Sequence, residues 1–322
     1  MDGQVIVRHR HRHRYRHGWC NWRRWTAVAV VVLGLGGCTR IEFLYDHADW
    51  FIVRWVDTML EPDSGQRERW RAWIEDALSV HRRELLVELV GLLQQARQET
   101  AHGPTAAGVR CLLQAADQVV EAHAQLVAPV AAAVLTDASA EQLEILRARF
   151  DEQTADYRDD FLDPDPARRE QRRVERYVDR IERWTGDLAT EQLRLVERLV
   201  GELPDLAADW LVYRESQQAS LLQKLRSGDG NDAVASLLVD WWGRQRGRAP
   251  QLVDKAQRIR EGIVQLIVVL VPTLDSTQRA HLQAEIDDMR DQLASAAGVE
   301  SDGALRTVLA HNCFGTTPPS LH

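Results

Sequence analysis

The chain has 322 residues, with 48 acidic and 40 basic side chains and a formal net charge of −8. This acidic balance argues against nucleic acid as a partner, because binding a phosphate backbone needs a positively charged surface. Hydrophobic residues make up 45% of the chain, which is enough for a core, and the length allows one large or two small domains.

The first 37 residues have the three parts of a secretory signal. Positions 1–25 carry seven arginines against one acidic residue, positions 26–37 carry no charge, and Gly36 and Gly37 stand immediately before Cys38. A basic flank, a short apolar run and small residues before the cleavage point predict a signal peptide over 1–37. The uncharged run is also shorter than the roughly 20 residues that a spanning helix needs, so cleavage is favoured over an uncleaved anchor.

Cleavage before Cys38 would make this cysteine the new N-terminus. Its thiol would then carry a diacylglycerol and its amine an acyl chain, and two lipid signals hold a soluble domain stably on a bilayer. By analogy with bacterial lipoproteins, Thr39, where an aspartate would retain the protein, implies sorting to the outer membrane. We therefore expect a lipid-anchored protein on the periplasmic face of the outer membrane, with a mature net charge of about −14 once 1–37 is removed.

Two further cysteines, Cys111 and Cys313, remain in the mature chain once Cys20 leaves with the signal. In an oxidising compartment an even pair of cysteines is a disulfide candidate. The alternative is two unpaired thiols, with Cys111 in an Ala/Leu-rich helix and Cys313 in a frayed tail. The sequence leaves both open.

Nearly every segment after Cys38 repeats its apolar residues with a helical period, and none shows sustained alternation. The pattern predicts an all-α, irregular bundle of long amphipathic helices over 38–300, followed by a polar tail over 301–322 that we expect to be disordered. The segment 191–226 should be kinked or divided near Gly201 and Pro204. The predicted helices cover about 41–60, 66–95, 106–135, 140–162, 167–185, 191–226, 231–243, 250–271 and 276–296.

The first two helices carry most of the aromatic residues that we assign to the core. On the first, one face collects Leu44, Ala48, Phe51, Ile52, Trp55 and Met59. We favour a core position for Trp50, Phe51 and Trp55, although residues so close to Cys38 also suit a lipid interface. On the second, Trp70, Trp73, Ile74, Ala77 and Leu78 recur at intervals of three and four.

Four helices begin with a similar four-residue pattern that ends in glutamine. They are Asp63–Gln66, Ser139–Gln142, Ala189–Gln192 and Asp275–Gln278. The pattern predicts a capping box, in which the first side chain accepts from the backbone of the glutamine and the glutamine side chain bonds back to the cap. Ala189 has no side chain for this, so we expect an imperfect cap or one that uses Thr190 or Asp187. The unequal spacing of the copies argues against a regular solenoid.

These residues also carry a resemblance to a family. The segments concerned are Tyr45–Trp50, the HRRELL of 81–86, Trp184–Leu188, Arg214 with Gln217, and the LDSTQRAHL of 274–282. Together with the signal they resemble an uncharacterised family of proteobacterial helical lipoproteins, and the resemblance covers most of the mature chain. The L-[ST]-x-x-Q helix start also resembles that of small periplasmic stress chaperones, which implies a chaperone-like role by analogy.

The polar residues give few candidates for chemistry. No histidine or cysteine pair has the spacing of a zinc site, and no phosphate-binding or nucleophile motif is present, so we expect no metal, no cofactor and no catalytic residues. The acidic run over 156–165 is interpreted as helix-end solvation rather than a calcium loop. His81, Arg82, Arg83 and Glu84 form the most suggestive cluster, either as ion pairs between helices or as a polar site facing a groove.

The sequence therefore predicts a binding protein rather than an enzyme. Our first hypothesis is a membrane-anchored periplasmic bundle that binds envelope proteins or unfolded chains through an apolar groove. The second is a structural or assembly lipoprotein with one dedicated envelope partner. The third is an enzyme without a recognisable motif.

Overall fold

The computed structural model describes residue 45 and residues 47–299, which belong to one compact unit over 41–322. In this part of the chain ten α-helices and one short 3₁₀-helix form the fold, with no β-strand, so the all-α prediction is confirmed. The helices are α1 (Ala48–Leu60), α2 (Ser64–His102), α3 (Ala106–Thr136), α4 (Ala140–Phe161), α5 (Pro166–Thr185), α6 (Thr190–Gly201), α7 (Ala207–Arg226), α8 (Asn231–Trp242), α9 (Pro250–Leu270) and α10 (Ser276–Ala297), with the 3₁₀-helix Val271–Thr273 between α9 and α10.

Local sequence signals place most helix ends correctly. The predicted break near Gly201 and Pro204 separates α6 from α7. The main difference is the end of α2, which continues past the predicted 95 to His102. Its added turns are polar, and they are held by α10, where Asp287 pairs with Arg97 at 2.7 Å and Gln283 donates to Thr100 at 2.9 Å. Because contacts with a distant helix stabilise these turns, the apolar period of α2 itself does not predict them.

The predicted buried face of α1 is wrong in part. The residues it buries are Val53, Val56, Met59 and Leu60, whereas Trp50 and Trp55 are 54% and 48% exposed. Both faces of this helix are apolar, and α1 packs against α2 and α4 through the face that begins at Val53. The core assignment is therefore wrong for Trp50, Ile52 and Trp55. On α2 the assignment holds, since Trp70 and Ile74 are buried.

The four repeated helix starts meet in two pairs. Gln66 and Gln142 exchange side-chain hydrogen bonds of 3.1 and 2.8 Å, and Gln192 and Gln278 exchange two of 2.9 Å. We call these the first and the second glutamine pair. All four side chains are buried. The sequence identified each glutamine as a cap, but the pairing joins residues 76 and 86 positions apart.

Each glutamine amide uses its full hydrogen-bonding capacity. In Gln66, Oε1 accepts from its own cap residue Asp63 at 3.2 Å and from Gln142, while Nε2 donates to Gln142 and to the Asp137 carbonyl at 2.9 Å. The other three glutamines repeat this arrangement, and each bonds a carbonyl two residues before the cap of its partner's helix. Such a satisfied network can be buried without the cost of unpaired polar groups.

Ala189 has the backbone conformation of the other three caps but forms no side-chain cap hydrogen bond. Gln192 still bonds back to the Ala189 amide at 2.8 Å. The imperfect cap predicted at this copy is therefore confirmed.

The helix α2 connects the two glutamine pairs. Its 39 residues extend about 58 Å at 1.5 Å per residue. The first pair lies at its N-terminus, and α10 runs antiparallel along its other half, so that Gln278 lies near its C-terminus. One core cluster, around Trp70 and Leu146, lies at the first pair, and another, around Val196, Val200 and Leu274, lies at the second.

Within the described residues one helix, α3, is long and apolar enough to cross a membrane by length and composition. Core helices of soluble proteins pass the same test, and α3 packs against α2, α8 and α9.

Candidate functional site: an apolar groove

An apolar groove of about 450 Å³ lies between α1, α2, α3, α4, α7 and α8. Its volume is within the range of about 300–1,000 Å³ that is usual for ligand sites. The polar residues that line it are His81, Gln153, Arg214 and Gln218. The remaining lining residues are Ile52, Trp55, Val56, Met59, Leu60, Ile74, Ala77, Leu78, Val127, Val130, Ala131, Val134, Leu135, Leu146, Phe150, Leu221, Trp241 and Trp242.

The groove is open to solvent on one side. Four of its lining residues, Ile52, Trp55, Val127 and Trp242, are also among the exposed large hydrophobic side chains of the protein. We call these four residues the rim. Isolated exposed apolar residues need no explanation, but a contiguous set beside a cavity is typical of a binding surface.

The structure divides the predicted cluster at 81–84. His81 lines the groove, and Arg82 lies over the ring of Tyr45 with 5.1 Å from its guanidinium carbon to the ring centre. Arg83 and Glu84 are exposed. Neighbouring residues of a helix point about 100° apart, so four consecutive side chains cannot all face one groove.

His81 lies in a ring cluster that links α2 to α3. The Tyr45 hydroxyl donates to His81 Nδ1, and the His123 ring meets the His81 ring edge-to-face with centres 4.6 Å apart. Burial, together with the neighbouring His123, lowers the pKa of His81 from 6.5 to about 4. Burial raises the pKa of Tyr45 to about 12. At neutral pH His81 is therefore uncharged, and its Nδ1 accepts a hydrogen bond from the Tyr45 hydroxyl.

Arg214 is the permanent cation of the groove lining. Its guanidinium lies over the Tyr157 ring at 5.6 Å, and its Nη2 atom is buried with no hydrogen-bond partner. Among the described residues no carboxylate forms an ion pair with it. Burial lowers the pKa of Arg214, but a guanidinium stays protonated in proteins. Gln218 lies one turn further along the same face of α7 and also lines the groove.

The sequence argument expected an apolar groove but identified neither the residues that line it nor the role of Arg214. It noted Arg214 only as part of a family resemblance, and Gln217, noted beside it, is partly buried and does not line the groove. One signal was available in the sequence. Arg214 and Gln218 fall on the same face of α7 as the buried Leu211 and Leu221. The other lining residues come from six helices, and no local pattern brings them together.

The remaining predicted sites fall mainly outside the described residues. Outside them lie the signal segment 1–37, Cys38, Cys313 and the tail 301–322. Cys111 lies in α3 and is disulfide-bonded, and its pairing with Cys313 stays a prediction. In the described part, no group of three or more His, Cys, Asp or Glu side chains is placed to hold a metal ion.

Comparison with known proteins gives a family but no function. No curated protein and no solved structure matches the chain. A family described as a family of unknown function, DUF6279, matches residues 58–242, a stretch that contains the groove lining from Met59 to Trp242. Because this match covers more than half of the 322 residues, the chain belongs to that family of unknown function.

Proposed function

We propose that this protein is a non-enzymatic, membrane-anchored periplasmic lipoprotein that binds apolar segments of envelope proteins or unfolded chains, in the manner of a chaperone. The observation that carries the proposal is the apolar groove with its exposed rim. An unfolded chain differs from a folded one chiefly by exposing apolar side chains, and burying these in a groove is favourable in proportion to the area covered. The acidic surface would help to keep such complexes soluble.

The anchor is part of the same proposal. Cys38, acylated after cleavage of 1–37, would hold the domain at the outer membrane. The first described helix, α1, begins ten residues later and exposes Trp50 and Trp55. Tryptophan is enriched at membrane interfaces, so these side chains suit the lipid-interface alternative raised from the sequence. Trp55 belongs to the rim as well, which would place the groove mouth near the bilayer.

The client-binding function is tested by aggregation. Soluble protein, residues 39–322, should suppress the aggregation of an unrelated unfolding protein at near-stoichiometric amounts, without nucleotide or metal. Val127→Asp places a charge on the rim and should abolish most of this suppression. Val253→Asp is the matched control, because Val253 is 42% exposed against 41% for Val127 and does not line the groove. Equal suppression by both variants would remove the groove from the proposal.

The anchor has a separate test. The protein in bacterial cells should incorporate labelled fatty acid and fractionate with the outer membrane, and Cys38→Ala should abolish both. Recovery of unlabelled wild-type protein in the soluble fraction would contradict the anchor.

The alternative function is a structural or assembly role with one dedicated envelope partner. Crosslinking in intact cells, followed by mass spectrometry, separates the two. Capture of one envelope protein, together with failure to suppress aggregation, would favour the dedicated partner. Capture of many unrelated proteins through the rim would favour the chaperone-like function.

A further inference from the structure

The groove combines three features whose joint chemistry is narrower than that of a general apolar surface. Its walls are apolar, and among the described residues Arg214 is the one permanently charged side chain that lines it and no acidic side chain does. In addition, Arg214 Nη2 is buried and has no hydrogen-bond partner. A buried donor without an acceptor is unfavourable, and for a cation the missing partner is best supplied by an anion.

We propose that the groove is a binding site for a long-chain fatty acid, with the carboxylate at Arg214 and the acyl chain along the apolar walls. The carboxylate would accept a charge-assisted hydrogen bond from the free Nη2 and neutralise the guanidinium. Gln218, which lines the groove one turn further along α7, would donate a further hydrogen bond through its amide. The acyl chain would replace water along side chains such as Val130, Ala131 and Leu135.

The observations favour a fatty acid over an extended peptide lying wholly inside the groove, whereas a client would bury only its apolar side chains there. An apolar peptide segment brings backbone N–H and C=O groups at every residue, and these need partners when they are buried. Four polar side chains among the lining residues do not provide a row of such partners. An acyl chain has no polar group beyond its head, so one cation and one amide satisfy it. His81, neutral at pH 7, adds no competing charge.

This site goes beyond the proposed client-binding function, which needs the rim but not Arg214. A fatty acid in the groove would compete with clients for the same walls. The site is also distinct from the acyl chains expected on Cys38, because it requires a free carboxylate.

The test is photolabelling of the full-length protein in isolated cell envelopes, with a palmitate that carries a diazirine and an alkyne. Labelled peptides should come from the helices that line the groove. Unlabelled palmitate should compete with the probe at a concentration at least roughly ten-fold lower than hexadecanol does, because hexadecanol has the same chain length without the charge. Among shorter fatty acids, each methylene removed should weaken competition roughly four-fold.

Variants assign the effect to Arg214. Arg214→Gln should remove the preference for palmitate over hexadecanol, and Arg214→Lys should restore part of it. Arg226→Gln, on the same helix but outside the groove, should behave as wild type. Ala131→Trp fills the groove and should reduce labelling of the lining helices by the probe. Circular dichroism verifies that this variant is folded. Equal competition by palmitate and hexadecanol in the wild type, or labelling confined to other helices, would overturn the proposal.

The fatty-acid site and the client function fail separately. If residues 39–322 do not suppress aggregation but labelling follows Arg214, the client function is lost and the fatty-acid site stands. If Arg214→Gln changes neither labelling nor competition while Val127→Asp abolishes suppression of aggregation, only the fatty-acid site is lost.

Discussion

The regions around the two glutamine pairs use the same framework for different packing. At the second pair the neighbouring core is filled, with Val196 and Val200 fully buried between α6 and α9. At the first pair the neighbouring helices leave a groove of about 450 Å³ with an exposed rim. The glutamine networks satisfy the helix starts in both places and add hydrogen bonds between helices to the apolar core beside each pair. The first region can therefore keep an open groove.

The largest expected effect tests whether both glutamine pairs are structural. Gln66→Leu should lower the free energy of unfolding by about 3 kcal/mol, since it leaves the Asp137 carbonyl and part of the Gln142 amide without partners. Gln278→Leu should cost a similar amount at the second pair. Urea denaturation measures both. The exposed Gln171→Leu is the control and should stay within about 0.5 kcal/mol of wild type.

The double variant Gln66→Leu, Gln142→Leu sharpens this result. Replacing both partners removes the unpaired amide that each single change leaves behind, so its cost should be less than the sum of the two single costs. Strict additivity would mean that the two glutamines act as independent caps and that their pairing adds nothing.

A matched pair of core changes compares the open region with the filled one. Val200→Phe should cost about 2 kcal/mol, because a larger ring does not fit a closed core without strain. Val130→Phe should cost less than about 0.5 kcal/mol, since its ring enters the groove. Thermal or urea unfolding measures the difference. Similar costs at the two positions would show that the groove is closed in solution.

The stability of the protein should depend on pH through His81, which lines the groove of the first region. The pKa of His81 is about 4 in the folded protein, against 6.5 for an unperturbed histidine in the unfolded chain. The unfolded chain therefore binds the proton first as the pH falls. The free energy of unfolding should therefore decrease between pH 6.5 and 4, by about 1 kcal/mol after allowing for the partial exposure of the ring.

His81→Asn isolates this contribution from the carboxylates that titrate in the same range. The variant should lose less stability than wild type between pH 6.5 and 4, in urea denaturation at each pH. The partly exposed His281→Asn, at a histidine that does not line the groove, is the control. Parallel pH curves for wild type and His81→Asn would contradict the buried, neutral histidine.

The smallest effect concerns the one imperfect cap. Ala189→Ser should raise the free energy of unfolding by about 0.5–1 kcal/mol, because the backbone there already has the cap conformation and the new hydroxyl would accept from Gln192. The reverse change at the first pair, Ser139→Ala, should lower it by about 1 kcal/mol. Calorimetry detects both shifts. A neutral Ala189→Ser would mean that Thr190 or water already satisfies this helix start.

Much of the fold was predictable because its signals are local. Helix ends depend on residues three or four positions apart, such as Asp63 with Gln66, and on breaks such as Pro204. The all-α class follows from the same short-range periodicity. The position of the buried face on α1 was not predictable in this way, because apolar residues occupy both sides of the helix, and only the packing of α2 and α4 selects one.

By itself, then, the sequence determined the helices, their caps and the family to which the chain belongs. Tertiary structure alone decided that the four glutamines meet as two pairs, that the rim around Trp55 stays exposed, and that Arg214 lies in an apolar groove with one donor unpaired. The physical reason is distance along the chain. Hydrogen bonds within one helical turn can be inferred from adjacent residues. The groove, in contrast, is the space left between six helices, and its lining residues are far apart in the sequence.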